Sequence, residues 1–429
     1  MKNVVVCKLE FVVKHPNAER LLIAKALGNT VIVGTSNFEG ELGIYYDDDS
    51  KLSEVFAKAN DLAPIYDENG KKTNATFFGD NLRVRAISLR GTKCDGYWCP
   101  ISMLAFTGFD LSKLKEHDAF DTLNGHLICE KYVTKATYEK GIANTSKKGM
   151  KKKSELPQFA KHLETSQFRH DVSKLQVGDY ISISEKIHST SQRFGYVLNE
   201  AEEKKYSLNW FLNKFGIKTE PKQEYQHLVG TRNVILENQK NGNSYYGDES
   251  FRYQAVKDLR GRLKKGETLY GELVSTKDGR AVMVQKTSGI KDKAFQKKYG
   301  SEMNYKYSCP DGESHFWVYR ITNSNEDGNQ VDLSWQAMKT RCAELGVKMV
   351  PEICESFLFD GNYDKLKELV ESLTDGDSTI DPSHIREGCV VRACRYPQPL
   401  VMKSKSFQFR ILEGLVKDDA SYEDIEESE

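Results

Sequence analysis

No C-x-x-C pair occurs in the sequence, although nine cysteines are spread along it, at 7, 94, 99, 129, 309, 342, 354, 389 and 394. An odd, scattered set argues against a disulfide framework and against a zinc ribbon, and it points to a reducing cytoplasm. Cys94 and Cys99 lie near one another, but nothing at zinc-site spacing completes a ligand set. No apolar run approaches the ~20 residues that a membrane-crossing helix needs, so no membrane partner is expected. The opening MKNVVVCKLEFVVKH alternates as a strand does and lacks the small-residue cleavage site of a signal peptide. There is no internal repeat and no net charge, since 62 Lys and Arg balance 62 Asp and Glu.

The balance is uneven along the chain. The stretch Lys417–Glu429 (KDDASYEDIEESE) holds seven acids and one lysine, which leaves the preceding body at +6. Such a tail reads as solvated and disordered, and a mildly basic body is compatible with nucleic acid. At 429 residues, 39% hydrophobic and 29% charged, the chain is soluble in character and too long for one comfortable core, so two domains are expected.

Residues 1 to about 130 read as short strands with turn punctuation: VVVCKLEFVVKH, TVIVGTSNF, GELGIYYDDDSKL and LRVRAISLRG. That pattern favours a small barrel or sandwich, of which an OB-type barrel has the natural size. A basic, low-complexity stretch, KKGMKKK at 147–153, marks a connector near the boundary. Beyond it, DVSKLQVGDYISISEKIHSTS reads as a strand, Glu200–Phe215 and Ser250–Leu263 as helices, and Thr268–Val274 and His315–Ile321 as strands. Residues 333–376 are helix-rich, and Ile385–Ala393 and Pro399–Phe409 are strands.

Five separated fragments each bring a charged or aromatic side chain to a predicted strand: EKIHSTS at 185, LYGELV at 269, FWVYRI at 316, REGCVVRA at 386 and LVMKSKSFQF at 400. The inventory suits nucleotidyl transfer. A lysine amine can attack the α-phosphorus of a nucleoside triphosphate, provided that its surroundings lower a pKa that is ~10.4 in a free lysine. Neighbouring cations do both that and the neutralising of phosphate charge. One carboxylate is then needed for a ribose hydroxyl and another for a hard divalent cation, and an aromatic strand offers a face for a purine.

In order and context the fragments resemble the motifs of the covalent nucleotidyltransferase superfamily, and specifically ATP-dependent RNA ligases of the K-x-H branch. The separations are 86 residues from Lys186 to Glu272, 115 to Glu387 and 16 to Lys403. HPNAERLLIAKA, FEGELGIYYDDDSKL and LRVRAISLRGTKCDGYW resemble the N-terminal OB domain of RNA ligases of the Naegleria and Deinococcus type. The resemblance implies an α+β chain: an OB-type β-barrel over residues 1–150, then an antiparallel-sheet, ATP-grasp-like adenylation domain with a helical insertion over 151–416, then the acidic tail 417–429. It implies Lys186 as the adenylated nucleophile, with His188 acting in the sealing step. Glu185, Ile187, Glu272, Tyr319 or Phe316 (Trp317 a further alternate), Lys403 and Lys405 would bind the nucleotide, Glu387 would hold Mg²⁺ or Mn²⁺, and Arg232 and Arg193 would meet RNA. ATP and RNA nicked within a duplex or an RNA–DNA hybrid are the implied substrates of a cytoplasmic, monomeric enzyme.

Three positions depart from the family pattern: Ser189 stands where glycine is usual, Arg320 where aspartate is common, and Cys389 where an aliphatic residue is usual. Each site residue also has an ordinary structural reading. Lys186 is then a solvated strand-end lysine, His188 bonds a backbone carbonyl, Tyr319 is core, and Lys403 and Lys405 decorate an edge strand. A DNA ligase, a capping guanylyltransferase or a non-catalytic RNA-binding protein are the rival functions.

Overall fold

The structure is a computed structural model and describes residues 4–47, 50–69, 71–74, 76, 78–132, 156–200, 222–236, 250–288, 290, 292–412 and 416–417. The basic stretch 147–153, the tail from 418 onward and most of the helix expected at 200–215 lie outside these residues, and Glu200 itself closes a strand. The described residues form two compact units. One holds those of 1–150, 286–301 and 407–429, the other those of 151–285 and 302–406.

The first unit is a mixed but sheet-rich body. Its main sheet runs in the order Asn29–Gly34, Leu21–Ala26, Val4–Lys14, Leu42–Asp47 and Gly96–Pro100, with Ala119–Phe120 also paired to the first strand. Alternation along Val4–Lys14 sends Val4 and Val6 into one core cluster, and Cys7 and Leu9 into another with Val31, Tyr45 and Trp98. The long first strand breaks register between Glu10 and Val13, where Phe11 has a positive φ. Of the strand expected over Asn81–Gly91 only Ala86–Leu89 forms, and Arg83 before it is buried with its guanidinium over the Tyr132 ring.

Two sheets build the second unit. A five-stranded sheet runs Ser166–Gln167, Leu400–Lys405, Gly388–Cys394, Tyr180–Lys186 and Glu352–Leu358. The other sheet has the central order Gln223–Gly230, Thr190–Glu200, Glu267–Lys277 and Ser314–Ser324. The chain passes from one sheet to the other through Ile187–Ser189, so the predicted lysine motif sits at their joint. On the five-stranded sheet, Ile181, Ile183, Cys389, Val391, Ala393 and Met402 share one face and pack under helical residues Phe168, Leu366 and Val370. Period-two alternation therefore leaves the opposite face open for polar work. Cys389 is simply core, and burial pushes its thiol up to about 11.

Residues 333–376 are not purely helical. Trp335–Leu345, capped by Ser334, and Tyr363–Thr374, capped by Asn362, are helices as their spacing predicts. Between them Glu352–Leu358 is a strand on the edge of the five-stranded sheet, paired with Tyr180–Lys186. Two further readings change in part. Ser250–Leu263 is helical only at Ser250–Gln254 and in a short 3-10 turn, Lys257–Leu259. The strand predicted over 399–409 ends at Lys405, where a helix, Phe407–Leu412, begins. No helix among the described residues is long and apolar enough to cross a membrane.

Candidate nucleotide and metal site

Lys186 ends its strand opposite Gly388, which in turn pairs with Lys405 on the next strand. The three positions therefore lie in one row across the sheet. Gly388 is there for close approach: a Cβ on it would stand 2.0 Å from the Ser404 carbonyl oxygen. The adjacent Glu387, 3% exposed, draws Lys186, His188 and Lys405 together. Its Oε2 lies 2.8 Å from Lys186 Nζ and 3.6 Å from His188 Nδ1, and its Oε1 lies 3.5 Å from Lys405 Nζ. Burial works to raise the pKa of this carboxyl, but Lys186, His188 and Lys405 outweigh it and hold the group well below the usual carboxylate range. Lys403 shares the strand face of Lys405 by the same alternation.

A cleft of about 790 Å³, open mouth included, opens beside this row. The five-stranded sheet contributes Ser184, Lys186, Val390, Arg392 and Val401, and the other sheet Glu272, Tyr319 and Arg320. Glu185, Ile187 and Arg232 complete the predicted residues on its wall. Glu272 accepts from Ser191 Oγ at 3.0 Å through Oε1, while its Oε2 is buried without a hydrogen-bond partner. Burial, helped by the charge of Glu387 and opposed by Lys186, Ser191 and Arg232, pushes its carboxyl up to about 7.

Tyr319 reaches the cleft through a β-bulge. Tyr270 pairs with Arg320 and Gly271 with Val318, which leaves Tyr319 as the extra residue. The bulge lets the adjacent Tyr319 and Arg320 both line the cleft, which strict alternation forbids. Phe316, paired with Leu273 and buried, faces the other side of the sheet from Glu272, and is absent from the cleft wall. The Tyr319 hydroxyl is hydrogen-bonded to His162 Nδ1. Burial, with Arg193, Arg232 and Arg320 nearby, pushes His162 down to about 3, so the imidazole is neutral.

Arg193 is not presented to any RNA. It is 2% exposed, donates from Nη1 to the Phe159 carbonyl at 2.9 Å and stacks on the Phe159 ring, because its strand position points into the core. Arg232, by contrast, is exposed at the rim. The departures from the family pattern also resolve. Ser189 has no positive φ and its Oγ donates to the Leu273 carbonyl, so the turn does not require glycine. Arg320 is paired bidentately with Asp332, at 2.7 and 2.8 Å, and Arg392 approaches the same aspartate at 3.3 Å while donating to the Tyr319 carbonyl at 2.8 Å.

Sequence reasoning missed His162, Asp332, Arg392, Tyr307 and Thr379. An arginine inside the apolar run CVVRAC signals a buried acid partner, but nothing local says that the partner is Asp332.

A family model described as RNA ligase matches residues 179–407. No curated protein sequence matches the chain. Among solved structures, the Naegleria gruberi RNA ligase with PPi aligns over 96% of this chain and 98% of its own at 15% identity, with a TM-score of 0.57. A glutamate-to-alanine mutant of that ligase with ATP and Mn gives a TM-score of 0.59 at 15% identity, covering 96% of this chain and 99% of that one. A lysine-to-methionine mutant with AMP and Mn gives 0.58 at 15% identity, with the same coverages. At this identity the likeness speaks to the fold, which is shared over nearly the whole of both chains. The family model spans more than half of the chain, and with it the lysine motif and the whole row from Lys186 to Lys405: the protein belongs to the RNA ligase family.

Proposed function

We propose that the chain is an ATP-dependent RNA ligase that seals 3′-hydroxyl/5′-phosphate breaks, with Lys186 as its covalent nucleophile and nicked duplex RNA as its substrate. The observation that carries this reading is the convergence of Lys186, His188 and Lys405 on Glu387 at the edge of a cleft walled by Glu185, Glu272 and Tyr319. The solved relatives with ATP, AMP and Mn support the choice of donor and metal.

Lys186 Nζ would attack the α-phosphorus, forming a P–N bond as the bond to pyrophosphate breaks. Lys405, with Lys403 on the same face, would draw the α-phosphate oxygens and offset their charge. Tyr319 would offer its ring to the adenine, held in place by its hydroxyl on His162. Two buried carboxylate oxygens without hydrogen-bond partners fit the polar edges of an adenosine: Glu185 Oε1 suits an amino group and Glu272 Oε2 a ribose hydroxyl. AMP would then pass to an RNA 5′-phosphate. His188 would serve in the last step, in which the 3′-hydroxyl displaces AMP.

The described residues contain no group of three or more His, Cys, Asp and Glu placed to hold a metal ion. A lone anionic Glu387 nevertheless fits Mg²⁺ or Mn²⁺, which commonly take one or two carboxylates and fill their shell with water and substrate phosphates. Such an ion supplies Lewis-acid stabilisation of phosphoryl charge. The first unit, whose sheet is brought toward closure where the Asp95 N–H donates to the Thr30 carbonyl at 2.7 Å, would be an OB-like barrel that grips RNA through backbone and ribose contacts. The enzyme would act as a cytoplasmic monomer.

The test is intact-mass and peptide mass spectrometry after incubation with Mn²⁺ or Mg²⁺ and ATP, GTP or NAD in separate arms. AMP on Lys186 from ATP alone supports the proposal. GMP from GTP favours a capping-type enzyme, and no label from any donor favours a non-catalytic RNA-binding protein.

A further inference from the structure

The turn that carries Lys186 and His188 is held from both ends by one platform of side chains that the reaction as described does not use. At one end the Glu185 carboxylate, 1% exposed, accepts from the Thr379 N–H at 2.8 Å and from Thr379 Oγ1 at 2.6 Å. At the other end the His188 N–H donates to the Tyr307 hydroxyl at 2.7 Å. Thr379 and Tyr307 stand on two loops that bind each other. The Ser308 N–H donates to Asp381 Oδ2 at 3.0 Å, Ser308 Oγ donates to the Ile380 carbonyl at 3.1 Å, and the fully buried His384 ring packs edge-on to Tyr307 at 4.4 Å. Tyr305 fills the space between, 4.8 Å from the His188 ring and 5.0 Å from His384.

Tyr307 and Ser308 both adopt positive φ, 47° and 53°. Consecutive non-glycine residues in this region are strained and persist only where their surroundings over-determine them. The surroundings here are the loop-to-loop bonds, and the result of the strain is a hydroxyl aimed at the main chain of His188.

We propose that Tyr307 and Thr379 are positioning residues that act separately on the two ends of the turn, Thr379 aiming Glu185 for nucleotide binding and Tyr307 aiming His188 for the joining of RNA ends. The inference rests on the reading that Lys186 is adenylated and that His188 serves the sealing step. Thr379 occupies one Glu185 oxygen and leaves the other, buried and without a partner, for a ligand donor. Tyr307 anchors the peptide that orients the His188 ring, whereas Lys186 keeps its own tie to Glu387 at 2.8 Å. Losing Tyr307's hydroxyl therefore disturbs His188 more than Lys186.

The two half-reactions are measured apart on the full chain: labelling of Lys186 from ATP, and joining of a pre-adenylated nicked RNA. Tyr307→Phe keeps the ring and deletes the hydroxyl; joining slows about tenfold, the worth of one hydrogen bond, while labelling stays within about twofold. Thr379→Val raises KM for ATP in labelling by about five- to tenfold and leaves the joining rate at saturating pre-adenylated RNA within about twofold, and Thr379→Ser restores the wild-type KM. Should Tyr307→Phe fail to fold, Ser308→Ala removes one tie between the loops and reads the same split more weakly. Equal slowing of both half-reactions by either variant, or no slowing, overturns the inference. A wild-type chain that never labels Lys186 overturns the functional reading itself, which separates the two failures.

Discussion

Lys186 Nζ lies 2.8 Å from Oε2 of Glu387, and the carboxylate is buried while the amine is not fully so. The ion pair holds the lysine in the row, and Lys405 and His188 converge on the same carboxylate. Glu387→Gln keeps the shape and removes the charge. Lys186 labelling should fall at least ~100-fold, because a displaced nucleophile loses that much from misplacement alone. Rapid-quench labelling checks it, and near-native labelling would show that the carboxylate is dispensable.

Asp332 is the counter-charge of two buried arginines, Arg320 and Arg392, at 3% and 5% exposure. Asp332→Asn leaves both cations uncompensated and should cost about 3–5 kcal/mol of unfolding free energy. Urea denaturation of the variant reads this directly. A loss below about 1 kcal/mol would mean that water reaches the pair.

Glu272 should make stability fall as pH rises. Its carboxyl is pushed up to about 7 in the folded chain, above its ordinary 4.5, so the folded state holds a proton that the unfolded chain has released. The contribution is complete below pH 4.5 and is lost as pH climbs through about 7. Tm measured from pH 5 to 8 should decline, and Glu272→Gln should flatten that part of the profile. An unchanged slope in the variant would assign the titration to another group.

The two arginines expected to meet RNA should behave in opposite ways. Arg193→Met should lower Tm, since the side chain bonds and stacks on Phe159 in the core. Arg232→Ala should leave Tm unchanged and lower activity, since the residue is exposed at the cleft and its charge reaches Glu272. Calorimetry alongside a ligation assay separates them, and a Tm loss at Arg232 would contradict the placement.

Much of the site is legible in sequence because strands write themselves with a period of two. EKIHSTS, LYGELV, REGCVVRA and LVMKSKSF each show a polar group breaking an apolar alternation, which marks the face that leaves the core. The Glu352–Leu358 strand was hidden for the opposite reason. It is a short edge strand between two clear helices, and only its pairing with Tyr180–Lys186 makes it a strand. Of the aromatic residues in FWVYRI the resemblance favours Tyr319 with Phe316 as an alternate, and the pairing of Phe316 with Leu273 turns that ring to the face away from Glu272.

By itself, then, the sequence determined which chemical groups are present, in what order, and on which local elements, since alternation, capping and glycine placement act over a few residues. The tertiary structure decided what meets what. Asp332 finds Arg320 and Arg392, Tyr307 finds the main chain of His188, and an extra residue at Tyr319 turns Arg320 into the cleft. Those meetings depend on strand register and loop closure between distant segments, and no short-range pattern encodes them.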